Sequence, residues 1–105
     1  MYSYGDYNLI IGNLFTETES LASDIQYFAV YGTISNNMSK ATTGFLQVMH
    51  GRGTIIDSNN IAGSFGGIFV RPYNGGIEED KLPHGLKITN NNIILGIKEN
   101  IIQVV

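Results

Sequence analysis

GTISNNM (residues 32–38), GTIIDSNNI (53–61) and GLKITNNNI (85–93) each carry a short β-prone strand into two Asn and then an apolar residue. A weaker fourth copy, NLIIGNL, ends at Leu14. Between the final residues Leu14, Met38, Ile61 and Ile93 the intervals are 24, 23 and 32. The longest contains the nine-residue polar insertion GGIEEDKLP, whose removal restores 23. A second strand family falls between these endings: FAVYG (28–32), LQVMHG (46–51) and IFVRPYNG (68–75). Self-similarity at a fixed period in the twenties marks a solenoid, because one coil cannot bury its apolar face until a neighbour stacks on it. Each coil offers at least two strands separated by turn residues. Leucine-rich repeats share the length range, but their Leu pattern is missing and nothing has a helical period.

In Leu86-Lys87-Ile88, period-two alternation puts Leu86 and Ile88 on one face and Lys87 on the other. Ile88 and Ile56 are expected inside. The Asn before each final apolar residue (Asn13, Asn37, Asn60, Asn92) suits a sharp bend, since Asn tolerates the left-handed conformation. With coils stacked about 4.8 Å apart, equivalent Asn side chains are expected to form an architectural hydrogen-bonded ladder.

Composition agrees with that reading. A chain of 105 residues is expected to be one domain, 1–105. Charged residues make up 14%, and 13 Gly accompany many Asn, Ile and Thr, which favours strands and tight turns over amphipathic helices. The absence of Cys excludes disulfides and thiolate metal sites. A net charge of −3 lacks the basic footprint a phosphate backbone requires, so no nucleic-acid partner is expected. The start, MYSYGDYNLIIGNLF, has neither the basic beginning nor the long apolar run of a signal peptide or membrane span.

The stretches GFLQVM, GIFVR, GTIIDSNNI and GLKITNNNI resemble coils of the right-handed parallel β-helix family, which includes pectate lyases, polygalacturonases and bacteriophage tailspikes; the resemblance spans roughly residues 7–105. It implies an all-β fold, a right-handed parallel β-helix of about four coils, and polysaccharide as the ligand class. The chain departs from the secreted enzymes: it shows no signal peptide, has fewer coils, and ends in IKENIIQVV without a polar cap. Tailspikes look closer, which implies a homotrimer and a virion or extracellular location. The expected function is recognition of a host-surface polysaccharide. The alternatives are a polysaccharide lyase or glycoside hydrolase, with its site at the sheet face or a subunit interface, and a structural coil segment of a larger fibre.

For the site, alignment of Val30, Val48 and Val70 as inward residues makes Tyr31, Met49 and Arg71 one outward column, with His50, Arg52 and Tyr73 just beyond. Arg pairs with a sugar carboxylate through its planar fork, and Tyr stacks on a pyranose face. Arg71, Tyr73, His50 and Arg52 are therefore the expected substrate-binding residues. A lyase needs a base and a positive group, roles open to His50 or Arg52 with Arg71. A glycosidase needs two carboxylates about 5 to 10 Å apart, and the dense acidic group Glu78-Glu79-Asp80 lies on a polar loop, with Asp57 or an acid from another subunit open as its partner. The plainer readings are a solvated sheet surface and a solvated loop. That triplet lacks the spacing of a calcium loop, and Gly51-Arg52-Gly53 and Gly66-Gly67 lack the Lys-Ser/Thr ending of a phosphate loop, so neither metal nor cofactor is expected.

Overall fold

The computed structural model describes residues 1–16, 23–40, 42–62, 66–72, 83–94 and 102–104. Each coil lays one short strand into each of three parallel sheets. The first coil contributes β1 (Tyr2–Ser3), β2 (Leu9–Ile11) and β3 (Leu14–Thr16); the second, β4 (Ile25–Tyr27), β5 (Thr33–Ser35) and β6 (Met38–Lys40). The third contributes β7 (Leu46–Met49), β8 (Ile55–Asp57) and β9 (Asn60–Ala62); the fourth, β10 (Ile68–Arg71), β11 (Lys87–Thr89) and β12 (Asn92–Ile94). A last strand, β13 (Ile102–Val104), adds to the first sheet, whose order is β1-β4-β7-β10-β13; the second is β2-β5-β8-β11 and the third β3-β6-β9-β12. No helix occurs among the described residues. This is a parallel β-helix of about four coils.

Inward residues stack in register and make the core. Ile10, Ile34, Ile56 and Ile88 form one column in the second sheet. In the first sheet, Ile25, Leu46 and Ile68 form a second column and Tyr27, Val48 and Val70 a third. Nearly all are buried, with Ile88 partly so. The expected faces hold: Leu86 and Ile88 pack against the core while Lys87 is exposed. The expected pairings of β7 with β10 and of β8 with β11 hold as well.

Two alignments differ from expectation. In the second coil the strand of the first sheet is Ile25–Tyr27 rather than the segment 28–32, and Tyr27, not Val30, lies opposite Val48. Val30 makes only an isolated bridge to Asp6. The fully buried Tyr27 tolerates its inward place because its Oη accepts the Thr54 hydroxyl at 3.1 Å, and burial raises its pKa above the ordinary value.

The second difference shifts the repeat by one residue: Met38 pairs with Asn60, not Ile61. Matching apolar on apolar places Met38 over Ile61. Met38, however, is exposed, and the inward neighbour of Ile61 is the polar Ser39. Ser39 is fully buried yet satisfied, donating to Asp24 Oδ2 at 2.6 Å, where Thr42 Oγ1 also donates at 3.0 Å. The ladder therefore runs Asn13, Asn37, Asn59, Asn91. Asn60 and Asn92 stand outside it as an exposed pair, Nδ2 to Oδ1 at 3.3 Å.

Candidate functional site

The outer face of the first sheet carries two columns set by the same register. One is Tyr2, Gln26, Gln47 and Phe69. The other takes the residue after each third-column core position: Tyr4, Phe28, Met49 and Arg71. Alternation dictates this, since Tyr27, Val48 and Val70 point inward. Stacked coils place like positions about 4.8 Å apart, so flat side chains on neighbouring coils meet face to face. The rings of Tyr4 and Phe28 lie 4.8 Å apart at 6°, and Tyr2 stacks on Phe28 at 6.4 Å and 21°. Tyr4 is 63% exposed. Further along, the Arg71 guanidinium carbon is 5.9 Å from the Phe69 ring centroid and Nη2 is 3.6 Å from Met49 Sδ. A guanidinium over a ring is attracted by its negative face, which holds Arg71 along the sheet surface.

A second aromatic stack stands at the corner between the first and second sheets. Tyr7 N–H donates to Val30 O, Tyr31 N–H to Arg52 O and Gly53 N–H to His84 O, so Tyr7, Tyr31, Gly53 and Gly85 are equivalent. All four are left-handed, with φ of 59°, 56°, 66° and 67°. Such a conformation costs a side-chain-bearing residue about 1–2 kcal/mol. Here it aligns the Tyr7 and Tyr31 rings, 5.6 Å apart at 22°, with Tyr7 72% exposed. Gly53 is the floor of the stack, because a Cβ there would stand 2.6 Å from Tyr31 Cδ1.

The residues expected to bind substrate divide accordingly. Arg71 is on the outer face, as expected. His50 follows Met49 at the corner, where its N–H donates to Arg71 O at 3.0 Å, but its Nε2 is buried rather than presented as a surface base. Arg52 lies one coil beyond Val30, and its Nε is buried without an acceptor among the described residues. Tyr73 and Glu78-Glu79-Asp80 lie outside the described residues. Tyr31 is corrected out of the Met49–Arg71 column: Phe28 holds that position, because the strand of this coil begins three residues earlier than Val30 implies.

Asp57 lies away from this face, on the outside of the second sheet. Its carboxylate accepts Thr89 Oγ1 at 2.6 Å, Ser58 Oγ at 2.8 Å and Asn90 Nδ2 at 3.1 Å. The Thr89 bond above all, then those from Ser58 and Asn90, holds its pKa below the usual carboxylate value. Among the described residues no three His, Asp or Glu side chains gather as a metal-binding group.

Tyr2, Tyr4, Tyr7 and Phe28 lie outside the site expected from the sequence. The available signal was the run YSYGDY, with Tyr at alternating positions before a turn. Compared with known protein families, curated proteins and solved structures, the chain matches none.

Proposed function

We propose that this chain is a polysaccharide-recognising β-helix module of the tailspike type, with the glycan lying on the outer face of the first sheet and the adjoining corner. The observation that carries this reading is the paired aromatic stacks, Tyr4 on Phe28 and Tyr7 on Tyr31, aligned by the coil repeat beside Gln26, Gln47 and Arg71. The C–H faces of pyranose rings stack on such aromatics, while amides and a guanidinium supply hydrogen bonds to hydroxyls and carboxylates. Support also comes from the strain at Tyr7 and Tyr31: backbone held in a disfavoured region to present a side chain is characteristic of binding sites. The net charge of −3 suits a neutral or sparsely acidic glycan better than a polyanion.

Titration of a panel of capsular and lipopolysaccharide glycans tests the proposal. On a glycan that binds, Tyr4→Ala and Arg71→Ala should each lose about 1–3 kcal/mol of affinity, whereas Asn92→Ala, on the third sheet, should lose none. Unchanged affinity in both face variants removes this face. Cleavage of the glycan would move the chain to the lyase or hydrolase class, and failure of every glycan to bind would sink the reading.

A further inference from the structure

The Asn ladder is polar along the coil axis, and its two ends differ. At each step the backbone N–H and the Nδ2 amide of one Asn converge on Oδ1 of the next: Asn13 on Asn37 at 2.9 and 3.1 Å, Asn37 on Asn59 at 3.0 and 3.0 Å, Asn59 on Asn91 at 2.9 and 2.9 Å. The other Nδ2 hydrogen goes back to the preceding coil, as Asn91 does to Ile56 O at 3.0 Å. Among the described residues, Asn13 Oδ1 at the first coil accepts nothing. At the fourth coil, the Asn91 N–H and one Nδ2 hydrogen meet no acceptor among the described residues. One end of the ladder is thus a spare acceptor and the other a preformed pair of donors for a single oxygen.

The sheet edges and core agree with this polarity. Among the described residues, strands β2 and β3 are edges at one end, as β11 and β12 are at the other, and each has a partner on one side only. The inward Ile88 and Ile93 of the fourth coil are only partly buried, whereas their counterparts Ile56 and Ile61 are fully buried. Open edges and an open core end are surfaces that a further coil covers.

We infer that the chain stacks head to tail on a second copy of itself, the β2–β3 arch of one copy seating on β11 and β12 of the other. Asn13 Oδ1 of the incoming copy then receives the two Asn91 donors, as Asn37 Oδ1 receives those of Asn13 within one chain, with the same polarity along the ladder. In the first sheet β13 already occupies the next level, so the incoming β1, only two residues long, yields its pairing with β4 to β13. A two-fold arrangement fails chemically: joining the first coils sets acceptor against acceptor, and joining the fourth coils sets donors against donors. A head-to-tail contact does not close on itself, so the product is an open series of lengths. This inference rests on the ladder ends rather than on the glycan reading, and displacement of β1 takes Tyr4 off Phe28 in the incoming copy.

Sedimentation velocity across a concentration series tests it on the whole chain, with circular dichroism confirming the fold of each variant. Wild type should give a ladder of oligomers that lengthens with concentration. Asn13→Ala and Asn91→Ala should each weaken association by about tenfold or more, since each removes one side of the ladder contact. Mixed in equal amounts, the two variants should form dimers and nothing longer, because each retains the end the other lacks. Asn60→Ala, on β9 of the third coil and away from both ends, should associate as wild type does. If Asn91→Ala does not fold, Asn13→Ala alone decides. A wild-type monomer at hundreds of micromolar, a closed trimer, or undiminished association of Asn13→Ala would each overturn the inference.

Discussion

Asn37 donates both its backbone N–H and its side-chain amide to one oxygen, Asn59 Oδ1, each at 3.0 Å, from one coil to the next. Its remaining amide hydrogen reaches Ile10 O at 2.8 Å on the other side. Both residues are buried, so every one of these bonds replaces a group that would otherwise stand dry and unpaired. A buried amide in this position ties three coils together while leaving the aliphatic columns beside it undisturbed.

Asn59 and Asn60 are adjacent and chemically identical, so substitutions there isolate the role of position. Asn59→Ala should cost about 3 kcal/mol or more, since several buried donors and acceptors lose partners together. Asn60→Ala should stay within about 0.5 kcal/mol, because it removes one exposed bond of 3.3 Å. Chemical denaturation of both variants decides the register; equal losses would contradict the ladder.

Gly32 has no room for a side chain. A Cβ there would collide with Tyr27 Oη and stand 2.6 Å from the backbone oxygen of Asn8. Gly32→Ala should therefore cost about 3 kcal/mol or more, and Tyr27→Phe about 1–3 kcal/mol by stranding the buried Thr54 hydroxyl. The double variant should be less destabilised than the sum of the two, because loss of the phenolic oxygen relieves part of the collision. Strict additivity in denaturant melts would exclude the contact as the cause.

The corner between the second and third sheets is left-handed in every coil: Gly12, Asn36, Ser58 and Asn90 have φ of 73°, 55°, 58° and 54°. Ser is the member of this column least suited to that region. Ser58→Asn should raise stability by about 0.5 kcal/mol, and Ser58→Val should lower it by about 1–2 kcal/mol. Shifts of the urea midpoint in the opposite sense would show that the bond from Ser58 to Asp57 outweighs the backbone term.

The depressed pKa of Asp57 links stability to pH. Its folded-state value lies below the ordinary 3.8, so the unfolded chain binds the proton more readily. The contribution is complete above that ordinary value and disappears as pH falls through the folded value. Asp57→Asn should therefore flatten the acid limb of the stability profile below about pH 4, leaving the limb above pH 6 unchanged in shape. Melting temperatures from pH 7 to pH 2 check this, and an acid limb as steep as that of wild type would rule Asp57 out.

Much of the architecture was legible in the repeat itself. The recurrence of strand, Asn pair and apolar residue required stacked coils, because no single copy carries enough apolar surface to stand alone. Alternation in Leu86-Lys87-Ile88 assigned inside and outside correctly, as a strand has only two faces. Arg71 was likewise placed outward by the inward Val70 beside it.

Only the tertiary structure decided the register and, with it, the composition of the outer face. Matching apolar residues to apolar residues fails where a buried polar group finds partners from elsewhere in the chain. Ser39 lies inward because Asp24 and Thr42 satisfy it, and Tyr27 lies inward because Thr54 does. Asp24 lies 15 residues from Ser39 and Thr54 lies 27 from Tyr27, so each pair comes together only when the coils close. A one-residue slip in a strand exchanges its faces, so these two long-range pairings determine which Asn form the ladder and which aromatic rings meet on the surface. The local sequence therefore determined that the chain forms a β-helix, whereas hydrogen bonds between distant polar residues determined which side chains its surface presents.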